Sequence, residues 1–395
     1  MGADDSAKTK DEDMEKRVLG RTGIEVSVVG IGGEGFENKP YEACEAIIDR
    51  AFEGGINFVD IYNSNPDVRS NVGRALARYP RESFVVEGHI GSAWKNGQYY
   101  RTRDMDVCRA SFADFLERMQ LDYVDIGMIH YVDEQADFDA VFNGPLIAYA
   151  KKLKDQGVVR SIGLSTHNTD IAIEVAKTGI VDVILFSVNP AYDMLPATDD
   201  VNTFFTEEAY DRDFTGIDPK REEFYRLCET SGVAVTVMKA LGAGMLLDGA
   251  RSPFGRAMTP AQCIHYCLTR PAVATVPVGL ASIEQVDAAL AYARATDGEK
   301  DYSEIIAGGP RSSIQGSCMY CGHCAPCTSG IDIAQVNKFV DLALPQETVP
   351  DTLRDHYRLL EHRASECVEC GACESNCPFG VDIIGKMRAA EELFE

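Results

Sequence analysis

Two cysteine runs near the C-terminal end constrain this chain more than any other feature. They read Cys318-x2-Cys321-x2-Cys324-x2-Cys327 and Cys367-x2-Cys370-x2-Cys373-x3-Cys377-Pro378. The second is the ferredoxin spacing for [4Fe–4S] ligation. Its two-residue gaps let three thiolates wrap one cubane face, while the fourth cysteine reaches a different cluster. That crossing predicts Cys318, Cys321, Cys324 and Cys377 on one cluster, with Cys367, Cys370, Cys373 and Cys327 on another. The first run departs by its two-residue last gap and by Thr328 in place of proline. Four close thiolates also suit tetrahedral zinc, which stands as the alternative. Both runs end alike, in Ser329-Gly330-Ile331-Asp332-Ile333 and Phe379-Gly380-Val381-Asp382-Ile383, so one half reads as duplicated. Helical patterns over 333–344 and 351–363 make this a small helical domain.

The other five cysteines (Cys44, Cys108, Cys228, Cys263, Cys267) are scattered. The shift in cysteine usage, with the linker-like Ala307-Gly308-Gly309-Pro310, divides the chain. We expect a disordered tail over 1–16, a large domain over 17–305 and a cluster domain over 306–395. The odd total of 13 cysteines and the polar N-terminus without an apolar segment predict a reducing, cytoplasmic setting. A formal charge of −24 argues against nucleic acid and anionic membrane surfaces as partners. The lysines Lys151, Lys152 and Lys154 form a local basic cluster, read as a solvated helix face. No apolar run reaches membrane-spanning length.

The first 305 residues alternate short apolar runs with helical patterns. The runs lie at 26–31, 56–60, 84–87, 124–130, 159–165, 183–187, 234–239 and 273–278. Helical periodicity fills 106–119 and 220–230, and a helix start is expected at Thr259-Pro260. Eight near-continuous apolar strands covered by helices suit a (β/α)8 TIM barrel. An open doubly wound sheet is the runner-up. Gly30, Gly32, Gly33 and Gly35 do not carry the dinucleotide-loop spacing that such a sheet would favour.

In such a barrel, chemistry gathers at the C-terminal ends of the strands. Asp60 and Tyr62 close the second run, His89 follows the third and His130 ends the fourth. Ser165 and His167 end the fifth, Asn189 follows the sixth and Lys239 ends the seventh. A relay of Asp60, Tyr62, His89 and His130 is expected from their convergence.

Several segments resemble the aldo-keto reductases. They are Asn57-Phe58-Val59-Asp60, Val72-Gly73-Arg74-Ala75-Leu76, the stretch from Leu121-Asp122-Tyr123 to His130, Val158-Val159-Arg160-Ser161-Ile162-Gly163-Leu164-Ser165, and Val276-Pro277-Val278-Gly279-Leu280-Ala281-Ser282. Leu19-Gly20-Arg21-Thr22-Gly23 resembles that family's N-terminal hairpin, which plugs the barrel bottom. With the cysteine-rich end, the chain is similar to ferredoxin-domain aldo-keto reductases of anaerobic bacteria over nearly its whole length.

The resemblance implies carbonyl reduction by hydride from NAD(P)H. In the family a Tyr gives the proton, a Lys paired with an Asp depresses that Tyr's pKa, and a His orients the carbonyl. Asp60 and His130 match the Asp and the His. The Tyr position holds Asn65, and His89 stands where the Lys is expected. Of the carboxamide-binding pair, Ser165 is kept; Thr166 follows it, with Asn168 nearby. Asn189 replaces a Gln, and Tyr192 matches the Tyr that stacks on the nicotinamide. Ala281 replaces a residue that grips an NADP 2′-phosphate. The phosphate-side loops, with Leu241 and Gly244 in one and Ser282 and Gln285 in the other, still suit a nucleotide phosphate, from NAD(P)H or, ranked behind it, FMN.

The expected function is reduction of a small organic carbonyl or unsaturated compound at the barrel mouth. Two [4Fe–4S] clusters would relay electrons from a ferredoxin or flavoprotein donor. The main alternative is NAD(P)H-dependent carbonyl reduction with accessory clusters. A metal site of His89, His130 and His167 with Asp60, doing lyase or hydrolase chemistry, is a third reading. A catalytically dead electron-transfer barrel is a fourth.

Overall fold

The computed structural model describes residues 14–198 and 200–395. Most of the expected tail, residues 1–13, lies outside the described residues. Its last three residues correct the expectation. Met14 is 5% exposed, and Lys16 pairs with Ser27. The apolar Met14 side chain packs over Gly55, which holds it in the fold.

Eight parallel strands close into a barrel. In chain order they are β1 (Val29–Gly32), β2 (Phe58–Ile61), β3 (Val85–Ile90), β4 (Val124–Ile129), β5 (Val159–Thr166), β6 (Val183–Ser187), β7 (Ala234–Met238) and β8 (Val273–Gly279). β8 pairs with β1, which removes every edge and excludes the doubly wound alternative. The outer helices are α1 (Tyr41–Glu53), α2 (Pro66–Leu76), α3 (Met105–Met119), α4 (Pro145–Asp155), α5 (Thr169–Lys177), α6 (Pro219–Ser231), α7 (Pro260–Thr269) and α8 (Ile283–Leu290). Their starts are written in the sequence. Thr259 and Gln262 form a capping box across Pro260, and the Asp104 carboxylate caps two amides of α3.

The first run splits. Glu25–Ser27 pairs antiparallel with Lys16–Val18, and the barrel strand begins at Val29. Ser27 turns the chain, because its hydroxyl bonds the Val29 carbonyl while its amide bonds Asn57 Oδ1. Leu19 and Val26 of this hairpin pack with Phe58, Val85, Ile126, Val183 and Ala234 in a bottom layer of the barrel interior. The expected plug is therefore present. In the 3-10 turn Gly33–Phe36 that follows β1, glycine serves packing: a Cβ on Gly35 would meet the Leu280 carbonyl oxygen at 1.9 Å.

Beyond the barrel, α9 (Ile333–Ala343) and α11 (Ile383–Phe394) pack together with α10 (Asp351–Arg358) alongside α9. α10 stops five residues short of the expected end, at Arg358, and a 3-10 turn over Ala364–Glu366 follows. The two parts share a wall. The Tyr302 hydroxyl donates to the Met319 carbonyl at 2.7 Å, and the buried Arg270 guanidinium donates to the same oxygen. His356 on α10 meets Glu229 at the end of α6, 2.9 Å away. Among the described residues, no helix is long and apolar enough to cross a membrane.

Candidate active site

At the C-terminal mouth of the barrel, β2, β3 and β4 bring three expected residues into one hydrogen-bonded line. Asp60 lies on β2, His89 on β3, and His130 directly after β4. His89 Nε2 meets Asp60 Oδ1 at 3.0 Å, and His89 Nδ1 meets His130 Nδ1 at 2.9 Å. All three are buried. His130 Nε2 has no partner in the protein. Burial first, and His89 second, hold the His130 imidazole well below its ordinary pKa, so it is neutral near pH 7. Arg103 braces the turn after β4 by donating to the His130 carbonyl at 2.9 Å while paired with Asp137.

Tyr62, the fourth expected member, packs rather than bonds in the line. Its ring lies parallel to His130 at 6.4 Å, and Tyr99 of the Ser92–Lys95/Gln98–Arg101 hairpin meets both rings edge-on. Burial, then the charge of Glu34, raises the Tyr62 phenol pKa. The hairpin thus packs against the site through Tyr99. Asn65, at the family's Tyr position, caps α2 through its side chain.

His167 is not part of the line. Its Nδ1 bonds Asp133 Oδ2 at 2.9 Å. Burial works against ionisation of Asp133, but the bonds from His167 and Thr166 outweigh it and depress its pKa. With both His89 nitrogens also engaged, the three-histidine metal grouping is not assembled.

The sequence reading missed three groups here. Glu87, two residues before His89 on β3, is fully buried beside Asp60; an acid inside an apolar run was the available signal. Burial first, and the Asp60 charge second, raise its pKa well above the ordinary carboxyl value. Glu34 is open to solvent at the mouth yet surrounded by protein on its other sides. That enclosure and Asp60 raise its pKa as well. Phe204 is the third, described next.

The expected cofactor residues are largely committed to the chain itself. Ser165 is buried at the end of β5. Asn168 caps α5 and donates to the Asp133 carbonyl. Asn189 caps the turn at Pro190–Asp193 and donates to the Lys239 carbonyl at 2.9 Å. Lys239 itself adopts a left-handed φ of 63° and sends its ammonium to the face of Phe205, 5.7 Å away. Tyr192 is 1% exposed and stacks on Phe204 at 4.5 Å between centroids. Burial pushes its phenol up to about 12. Phe204 comes from the 3-10 turn Val201–Phe205 in the loop between β6 and α6. Ser282 caps α8, and Gln285 Oε1 accepts from the Ala281 amide. Leu241 and Gly244 sit at the turn after β7, with open space where a Gly244 side chain would be. Lys154 of the basic cluster is tied to Asp182 at 2.6 Å.

In the C-terminal part the eight cysteines line two cavities. Cys318, Cys321, Cys324 and Cys377 line one; Cys327, Cys367, Cys370 and Cys373 line the other. Each cavity therefore takes three thiols from one run and the fourth from the other. All eight are unpaired thiols. The Asn337 amide points at Cys318 Sγ (3.4 Å) and the Glu369 amide at Cys367 Sγ (3.4 Å), the donor pattern that tunes a thiolate-bound cluster. Four soft donors around a pocket with amides aimed at sulfur fit a [4Fe–4S] cubane in each cavity. The first cavity adjoins Met319, whose carbonyl is bonded to the barrel. The second is the outer one, with Cys370 exposed and Val368 67% exposed.

Comparison with known proteins agrees with both parts. The model of the "Aldo/keto reductase family" matches residues 28–260, and that of the "4Fe-4S dicluster domain" matches residues 317–382. A NADH-specific methylglyoxal reductase of Escherichia coli (strain K12) is 28% identical over 254 residues, which is 59% of this chain and 69% of that protein. An L-galactose dehydrogenase of Arabidopsis thaliana is 34% identical over 202 residues, 46% of this chain and 61% of that protein. A solved aldo-keto reductase from Bacillus halodurans (holo form) shares the fold, with a TM-score of 0.56 and 23% identity over 73% of this chain and 94% of its own.

Proposed function

The chain belongs to the aldo/keto reductase family, and on that premise we propose that it reduces a small organic carbonyl or unsaturated compound at the barrel mouth. Its electrons arrive through two [4Fe–4S] clusters rather than from a bound nicotinamide. One observation carries this reading: Phe204 covers the Tyr192 ring on which the family resemblance would place a nicotinamide. Clusters held by the two cysteine sets would supply electrons singly and without protons. The exposed outer cavity is the side open to an external donor of ferredoxin or flavoprotein class.

The chain's own residues supply the acid. With a proton on each His89 nitrogen, Asp60 holds one and His89 Nδ1 donates the other to His130 Nδ1. His130 then carries its own proton on Nε2, the unpartnered atom. When that proton leaves for a substrate oxygen, the His89 proton moves 2.9 Å onto His130 Nδ1, so no charged imidazolate forms. Tyr62 and Tyr99 pack against the His130 ring and so hold it in place.

The test is anaerobic titration of the cluster-loaded chain with NADH and NADPH, read by nicotinamide fluorescence. Carbonyl turnover with a reduced viologen is measured in parallel. Turnover from the viologen without nicotinamide binding supports the reading. Saturable nicotinamide binding with NADH-driven turnover favours the second reading, a hydride-fed reductase with accessory clusters. That reading draws on the methylglyoxal reductase relative, whose name specifies NADH.

A further inference from the structure

We propose that the Arg270 guanidinium is the fixed counter-charge of the inner cluster and holds that cluster's reduction potential above the outer one's, so that electrons come to rest beside the barrel. The inference rests on cluster-fed reduction as read above for the direction of flow. Each passage moves one electron and no proton. The external donor is oxidised by one electron, the outer cluster is reduced and then reoxidised, and the inner cluster keeps the electron.

Arg270 directly follows α7 and is 1% exposed. Among the described residues it makes no ion pair. The carboxylate that bears on it, Asp193, is already paired with Arg221 at 2.9 Å. One nitrogen, Nη2, donates to the Met319 carbonyl and to Thr269 Oγ1, while Nε and Nη1 have no hydrogen-bond partner. The guanidinium carbon lies 4.5 Å from the centroid of the Tyr266 ring and 5.0 Å from that of Tyr320. Those rings keep water away without supplying a negative charge. A buried cation in this state is strongly unfavourable unless an anion completes it. The place for that anion is one residue away. Met319 stands between Cys318 and Cys321 and lines the inner cavity. A cubane held there by four thiolates carries a formal charge of about −2, and about −3 when reduced. Of the other charges beside this cavity, Lys386 is paired with Asp341, and Asp301 is bonded to His323. Arg270 is the cation left uncompensated.

The outer cavity has no such charge. Glu369 lines it, and both of its oxygens accept from Arg388 at 2.8 Å in the open. Burial alone would keep the electron on the outer cluster, because adding negative charge away from water is costly. Arg270 reverses that order, since a permanent charge in a dry interior acts with little screening.

The test uses the cluster-loaded full chain with Arg270→Gln, Arg270→Lys and Tyr302→Phe. Each protein is poised at a series of potentials without substrate and read by low-temperature electron paramagnetic resonance. A soluble paramagnetic chelate broadens the signal of the exposed outer cluster and so tells the two apart. In the parent chain the inner cluster should be reduced first. In Arg270→Gln its reduction equilibrium should fall by about tenfold or more, which is about 59 mV for one electron, with the outer cluster unmoved. Arg270→Lys keeps the charge and should keep the parent order. Tyr302→Phe removes the other hydrogen bond to the Met319 carbonyl and should also leave the order intact. An outer cluster that is reduced first in the parent chain would overturn the proposal, as would an unshifted inner potential in Arg270→Gln. An equal shift in Arg270→Lys would overturn it too, because the hydrogen-bonding fork and not the charge would then be acting. So would loss of the inner cluster from both Arg270 variants, seen as iron falling to about four per chain. Loss from Arg270→Gln alone, with the parent potential kept in Arg270→Lys, would support it. A shifted potential with unchanged viologen-driven carbonyl turnover would sink the cluster-fed premise and leave the counter-charge standing.

Discussion

The imidazoles of His89 and His130 face each other through like atoms, Nδ1 to Nδ1, at 2.9 Å. Only one of the two can donate at a time, so the pair has a direction. With a proton held on the far nitrogen of His89 by Asp60, 3.0 Å away, Nδ1 donates to His130 when His89 carries a second proton and accepts from it otherwise. A lysine in place of His89 would give a fixed charge, whereas two facing imidazoles can pass a proton between them.

Replacing His130 removes the end of the line that meets substrate. His130→Ala is expected to lower kcat by about 10²–10⁴-fold, the range for loss of a positioned acid. Steady-state turnover with a reduced viologen as donor checks this, and the cluster absorbance should be unchanged. Full retained activity would remove His130 from the mechanism.

Phe204→Ala should uncover the Tyr192 ring. Nicotinamide affinity is expected to rise by about tenfold or more, roughly 1.4 kcal/mol. Fluorescence titration of both proteins with NADH reads it. An unchanged titration would mean that something other than Phe204 closes the site.

The crossed cysteine sets make a specific claim about iron content. Cys377 belongs by sequence to the second run but lines the cavity of the first. The parent chain should hold about eight irons, and Cys377→Ser about four. The double variant Cys318→Ser/Cys377→Ser should lose no more than Cys377→Ser alone, whereas Cys373→Ser/Cys377→Ser should lose nearly all. Iron analysis with low-temperature electron paramagnetic resonance decides it. Equal losses in both doubles would break the crossing.

Glu87 gives a pH dependence with a definite sign. Its folded pKa lies well above the ordinary 4.5. Between those values the folded state binds more protons than the unfolded one, so stability falls as pH rises. Glu87→Gln removes that slope. Its melting temperature relative to the parent chain should therefore climb as pH increases from about 4.5. A difference that stays flat across the neutral range would mean that Glu87 is ionised in the fold.

Much of this protein is determined by the sequence alone. Eight apolar runs rich in Val and Ile can bury both faces only in a sheet covered by helices, and their number closes it. Cysteine spacing is likewise local, because two-residue gaps already place three thiols around one pocket. Asp60, His89 and His130 were legible since each ends a strand, and strand ends in a barrel converge. The tertiary structure decided the rest. The sequence could not tell that His167 would turn to Asp133, or that Tyr62 would pack instead of bonding, because both depend on side chains from other strands. It could not show that Phe204 would cross the mouth and cover Tyr192, since nothing in a loop's residues fixes where it docks. Glu87 stands out only as an acid inside an apolar run, and it is closure of the barrel that buries it beside Asp60. Its proton is a consequence of that burial, which exists only once β2, β3 and β7 enclose the same space.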